Sequence, residues 1–255
     1  MMKRISLLIL LAGLSYGQVT NVIATKSVDP FWVVPSATMP LNLWTNSVLW
    51  ITAESPVLNA GTTNANWVCY ARFCGGNASN RVIANQPVRI TTNGAPYLQF
   101  NGATSTLQLP LSNNFTNSFT LSVKFSATNY TGTKILLNKW NGVESQYILY
   151  SSANRAGVGI CGTNATQYLL TLSDFTLTNG SIYTLTATYD GTTLLAYLNG
   201  VQSTNRVAYS GKLNAPTTIP NVGFTAGSPY FDGRVYSVYT SSNAVSSNLV
   251  AELFK

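Results

Sequence analysis

Histidine is absent from this chain of 255 residues, and charge is scarce, with only 8% Asp, Glu, Lys or Arg. A soluble domain ordinarily carries about 25%. Without His the commonest general base and the commonest zinc ligand are missing. Three Glu and four Asp leave few partners for carboxylate chemistry, so most enzyme classes are disfavoured from the start. Cysteine is limited to Cys69, Cys74 and Cys161, with no CxxC spacing, which gives no tetrahedral metal set. The longest apolar run, from Ile5 to Leu14, is ten residues, whereas a membrane span needs about 20. Basic residues are scattered singly rather than gathered into the patch that nucleic-acid binding requires. Neither a membrane span nor a nucleic-acid partner is expected, and no cofactor is implied.

What the chain has in abundance is neutral polarity. Its 31 Thr, 26 Asn and 25 Ser take over the solvating role that charge usually plays. Hydrophobic residues make up 45%, enough for a sizeable core and too much for a disordered chain. At this length one β-sandwich is as reasonable as two smaller domains.

The N-terminus reads MMKRISLLILLAGLSYG: basic Lys3 and Arg4, the apolar run, then Ser15 and Gly17 at the −3 and −1 positions of a cleavage site. This order is that of a secretory signal peptide over residues 1–17, cut before Gln18. An extracellular or cell-surface location, or a place in a virion, follows as the expectation. An oxidising destination favours a bridge between Cys69 and Cys74 in CYARFC, leaving Cys161 the odd one out. Asn-x-Ser/Thr triplets at Asn77, Asn114, Asn129, Asn164 and Asn179 are permitted glycan sites, but their number is what this composition gives by chance.

Residues 18–40 carry Pro30, Pro35 and Pro40 around Phe31, Trp32, Val33 and Val34. Flanking prolines suit an extended edge segment, which packs on its own domain or adds a strand to a neighbour. From residue 41 to 255, short β-type runs recur about every ten residues between turn signals. The strongest is YTLTATYDGTTLLAYLNG, where Asp190-Gly191 separates two alternating runs and reads as a hairpin. Asp232 beside Gly233 is also read as a turn. Only residues 244–254 show a helical period, with Ser246 and Ser247 as caps. The pattern is all-β: an antiparallel two-sheet jelly-roll sandwich with a short C-terminal helix.

APYLQFNGATSTLQLPLSNNFTNSFTLSVKF (95–125), the hairpin around Asp190-Gly191, and FDGRVYSVYTSSNAVSSNLVAELF (231–254) carry a resemblance to a known family. Together with Leu49 to Ala53 and the stretch from Trp67 to Pro87, they are similar in order and spacing to laminin-G-like, concanavalin A-like jelly-roll domains. The resemblance implies the fold; that fold hosts lectins, glycanases and structural modules alike. Thr52, and Tyr236 with Ser237, stand where the family usually keeps acidic residues, so no calcium or other metal site is expected.

Glycanases of this fold place paired carboxylates on one strand. Glu54, Glu144 and Glu252 lie in unrelated segments, and no His is present to activate a serine, so no catalytic residue is assigned. Sugar binding instead needs aromatic platforms beside planar polar side chains. Trp140, Asn141, Tyr147, Tyr209 and Tyr230 are the candidates. The expected function is non-enzymatic binding of a glycan or surface protein. The alternative is a structural subunit of a virion or filament that self-associates through residues 31–34 and sheet edges.

Overall fold

The computed structural model describes residues 47–52, 85–90, 96–109, 114–140, 145–225 and 229–254. Phe31 to Val34, Cys69, Cys74, Asn77 and Asn141 lie outside the described residues.

Alternation builds the molecule. In β10 (Tyr183–Tyr189), Leu185, Ala187 and Tyr189 are buried in the core, while Thr184, Thr186 and Thr188 point the other way. The same two-residue period sets β5 (Phe119–Ala127), where Leu121, Val123 and Phe125 enter the core and Ser122 meets Thr186 at 2.8 Å on the opposite face. One sheet has eight strands. It runs β12 (Val201–Ala208), β11 (Thr193–Leu198), β10, β5, β14 (Asp232–Ser241), β3 (Tyr97–Asn101) and β2 (Val88–Ile90), with β1 (Ser47–Thr52) also pairing with β14. The other has six: β4 (Leu107–Gln108), β13 (Asn221–Val222), β6 (Thr133–Trp140), β7 (Ser145–Ser152), β8 (Arg155–Cys161) and β9 (Gln167–Thr171). Every strand pairing among the described residues is antiparallel, and one continuous apolar core lies between the sheets, from Phe100 and Val235 on one side to Leu137 and Val158 on the other.

The hairpin expected around Asp190-Gly191 is present as β10 and β11. Asp190 closes the strand pair, its N–H donating to the Thr193 carbonyl at 3.4 Å, so the tip is Gly191-Thr192, with Gly191 at a φ of 95° that favours glycine. The expected C-terminal helix is α1 (Ser247–Phe254), and the Ser246 carbonyl accepts its first bonds from Leu249 and Val250. The helix lies on the outer face of the eight-stranded sheet, closing a second small cluster of Tyr197, Tyr239, Val245 and Val250. The turn read at Asp232-Gly233 is a correction. Both residues open β14 and pair with Asn101 and Phe100 of β3, and Gly233 also pairs with Ala127 of β5, so pairing on both sides draws them into the strand.

Among the described residues no helix is long and apolar enough to cross a membrane.

Candidate functional site

The outer face of the six-stranded sheet is shaped by two glycines. In RAGVGIC, Ala156, Val158 and Ile160 point into the core, which places Gly157 and Gly159 on the outside. A Cβ on Gly157 would collide with the Tyr150 ring, and one on Gly159 would sit 2.5 Å from Leu169 Cδ2 and 2.9 Å from Ile148 Cγ2. The half-buried Tyr150 ring therefore rests across the bare backbone of β8, its hydroxyl 3.4 Å from Thr171 Oγ1. The ring remains partly open to solvent. Beside it Leu169 is 53% exposed, a large apolar side chain left open to solvent.

A second aromatic group sits at the end of β6. After β13 the chain curls back over the outer side of that strand, held by Asn138 Nδ2 donating to the Phe224 carbonyl and the Thr225 hydroxyl donating to the Trp140 carbonyl, both at 2.5 Å. In that loop Phe224 and Tyr230 stack with centroids 4.5 Å apart at 20°. Trp140 is half-buried at the strand's end, where its carbonyl is held by Thr225 of that loop. Two of the aromatics chosen from sequence, Trp140 and Tyr230, are thus brought to one end of one sheet. Lys139 is fully buried there, opposite Tyr147 in the strand register, and desolvation lowers its amine from the usual lysine range.

The other two described aromatic choices have structural roles. Tyr147 is a correction: it is 1% exposed and packed between Phe115 and Phe119 at 5.7 and 6.3 Å. Burial raises its phenol well above the usual range, and the ring offers no face to a ligand. Its position on the core-facing side of β7, set by alternation with Leu149, outweighs the neighbouring Gln146 that suggested a sugar contact. Gln146 is itself spent on the main chain of Phe115 and Asn214. Tyr209 is half-buried, stacks on Tyr168 at 4.4 Å and donates to the Lys212 carbonyl, its ring filling the space over Gly162 and Gly211.

Of the glycan triplets, Asn129 Oδ1 accepts the Thr131 hydroxyl, Asn164 Oδ1 accepts the Thr166 N–H, and Asn179 Oδ1 accepts the Tyr130 N–H. Asn114 Oδ1 is buried without a hydrogen-bond partner. Cys161 is a free, buried thiol whose proton is held more tightly because of that burial.

Sequence reasoning passed over Tyr150, Phe224 and Leu169. The available signal was the pair of glycines at i and i+2 in β8, which marks one face of a strand as bare backbone. Chemically the face offers π-surfaces, amides and hydroxyls. The described carboxylates Asp174 and Asp190 are engaged elsewhere, by Ser203 with Thr204 and by Thr192 with Thr193. No group of three His, Cys, Asp or Glu able to hold a metal occurs among the described residues.

Two antiparallel sheets closing on one core define a jelly-roll β-sandwich. The chain belongs to the concanavalin A-like lectin/glucanases superfamily, whose family model matches residues 101–251. No curated protein matches it. Among solved structures it is similar to domain 4 of AbnA, a GH43 extracellular arabinanase from Geobacillus stearothermophilus in complex with arabinotriose. That match has TM-score 0.62 and 12% identity, covering 82% of this chain and 98% of that one. It is also similar to the binding domain of Paraclostridial Mosquitocidal Protein 1, with TM-score 0.63, 12% identity, and coverage of 83% and 52%. A third is the botulinum neurotoxin serotype D ligand binding domain in complex with N-acetylneuraminic acid, with TM-score 0.56, 14% identity, and coverage of 84% and 51%. The chain spans about half the length of the two toxin domains.

Proposed function

We propose that the protein is a non-enzymatic, extracellular carbohydrate-binding domain that holds sugar rings on the outer face of its six-stranded sheet. The observation that carries this is the Tyr150 ring laid over Gly157, on the same side of the sheet as the Phe224–Tyr230 stack at the Trp140 end of β6. Sugar faces stack on such rings while their hydroxyls pair with amides and hydroxyls. Two structural neighbours were solved with arabinotriose and N-acetylneuraminic acid, which supports a glycan ligand. Among the described residues the face carries no pair of carboxylates, which supports binding without hydrolysis.

The test is a glycan array followed by calorimetric titration of the best neutral oligosaccharide, with and without EDTA. Binding is expected to survive EDTA and to weaken at least tenfold in Tyr150→Ala, about 1.4 kcal/mol. Absence of binding across the array, or release of reducing ends from the ligand, overturns the reading.

A further inference from the structure

The outer face of the eight-stranded sheet is divided in two. At one end α1 covers Tyr197 and Tyr239. Beyond the row in which Thr186, Ser122 and Tyr239 stand opposite one another, two more rows follow: Thr184, Lys124 and Ser237, then Ser126 and Arg234. Residues directly opposite in a ladder share a face, and diagonal neighbours two residues along lie about 7–8 Å apart. Lys124 and Arg234 hold that diagonal relation on adjacent strands, Lys124 half-buried and Arg234 exposed. The Arg234 guanidinium stands 4.7 Å over the Tyr97 ring, which holds it on the face rather than letting it swing into solvent.

Around the two cations the rows carry small hydroxyls: Ser126 opposite Arg234, Ser237 opposite Lys124, and Thr184 on the far side of Lys124. Ser126 and Thr184 are 3% and 2% exposed, so it is the two cations that a ligand meets. The nearest carboxylate along β14, Asp232, sits at the strand's start with its Cβ over Gly102.

We propose that this half of the face is a second binding site, for an acidic polysaccharide carrying carboxylate or sulfate groups. Arg234 supplies a planar fork suited to either anion, and Lys124 a point charge for a neighbouring group or the same one. A chain carrying net charge +7 favours the approach of a polyanion as a whole. The site is separate from the Tyr150 face, which lies on the other sheet.

The experiment is biosensor binding of the full chain to immobilised polygalacturonate, heparin and neutral dextran, at 50 and 300 mM NaCl. The double variant Lys124→Gln/Arg234→Gln is compared with Lys134→Gln/Lys212→Gln, which removes the same charge elsewhere, and with Tyr150→Ala. Single Lys124→Gln serves if the double variant melts early. Expected are salt-sensitive binding to one or both acidic polymers, at least tenfold weaker in the double variant and at least threefold weaker in Lys124→Gln. The control pair should change it less than twofold, and Tyr150→Ala should leave it intact. Polygalacturonate alone identifies the carboxylate and heparin alone the sulfate. No binding to either polymer, equal loss in the control pair, or loss in Tyr150→Ala overturns the proposal.

Discussion

Asp174 ties the edges of the two sheets together. Its carboxylate accepts the Ser203 hydroxyl at 2.8 Å and the Thr204 N–H at 2.7 Å from β12, while Asn205 reaches back to the Thr171 carbonyl of β9 at 2.9 Å. Desolvation is the largest single influence and opposes ionisation, but the hydrogen bonds together outweigh it and hold the group below the ordinary carboxylate range. At Asp190 the Thr192 hydroxyl has the same effect. A carboxyl whose pKa falls on folding contributes stability above its unfolded value, near 4, and loses it as pH drops through the folded value. Thermal stability should therefore stay level from pH 7 to about 4 and fall only below that, a descent that Asp174→Asn should flatten. Melting curves between pH 2 and 7 check this; a loss beginning near pH 6 would contradict it. At the core, Tyr147→Ala should cost about 3–5 kcal/mol by analogy with other buried aromatics, measured by urea unfolding. Tyr147 also shows where residue-level reading fails. A tyrosine beside a glutamine looks like a sugar contact, and only strand register tells that its ring faces inward.

Elements were legible wherever a local rule acts alone. The β10–β11 hairpin announces itself through Asp190-Gly191 between alternating runs, and α1 through serine caps before a helical period. Asp232-Gly233 offers a similar dipeptide, yet pairing with β3 and β5 on both sides draws it into a central strand. No local signal reports that competition. The Gly157–Tyr150 contact is legible only in part: the spacing of glycines shows a bare face, but which ring covers it depends on how β7 and β8 align. Gly157→Ala tests the contact. It should leave the fold intact, since the colliding atoms belong to the end of a movable side chain, while lifting Tyr150 and weakening neutral-sugar binding several-fold. For α1, Val250→Asp places a charge in the buried Tyr197–Tyr239 cluster and should destabilise by a few kcal/mol without touching the Tyr150 face. Unfolding curves and sugar titration on the same variant separate the two effects.

For the whole molecule, the scarcity of charge and the lack of His acquire a structural meaning. The hydroxyls and amides that replace charge stand open to solvent, as Thr171 and Thr204 do at the sheet edges and Asn164 and Thr166 in the loop before β9. A sandwich so dressed suits a ligand made of hydroxyls. The central claim is that such a ligand lies on the outer face of the six-stranded sheet. The most direct measurement is chemical-shift mapping by NMR of the full chain titrated with the best-binding neutral oligosaccharide. Perturbations should concentrate at Tyr150, Gly157, Leu169, Phe224, Tyr230 and the Trp140 indole, leaving Tyr147 and Tyr209 unmoved. Shifts confined to the eight-stranded sheet, or none at saturating sugar, would contradict the account.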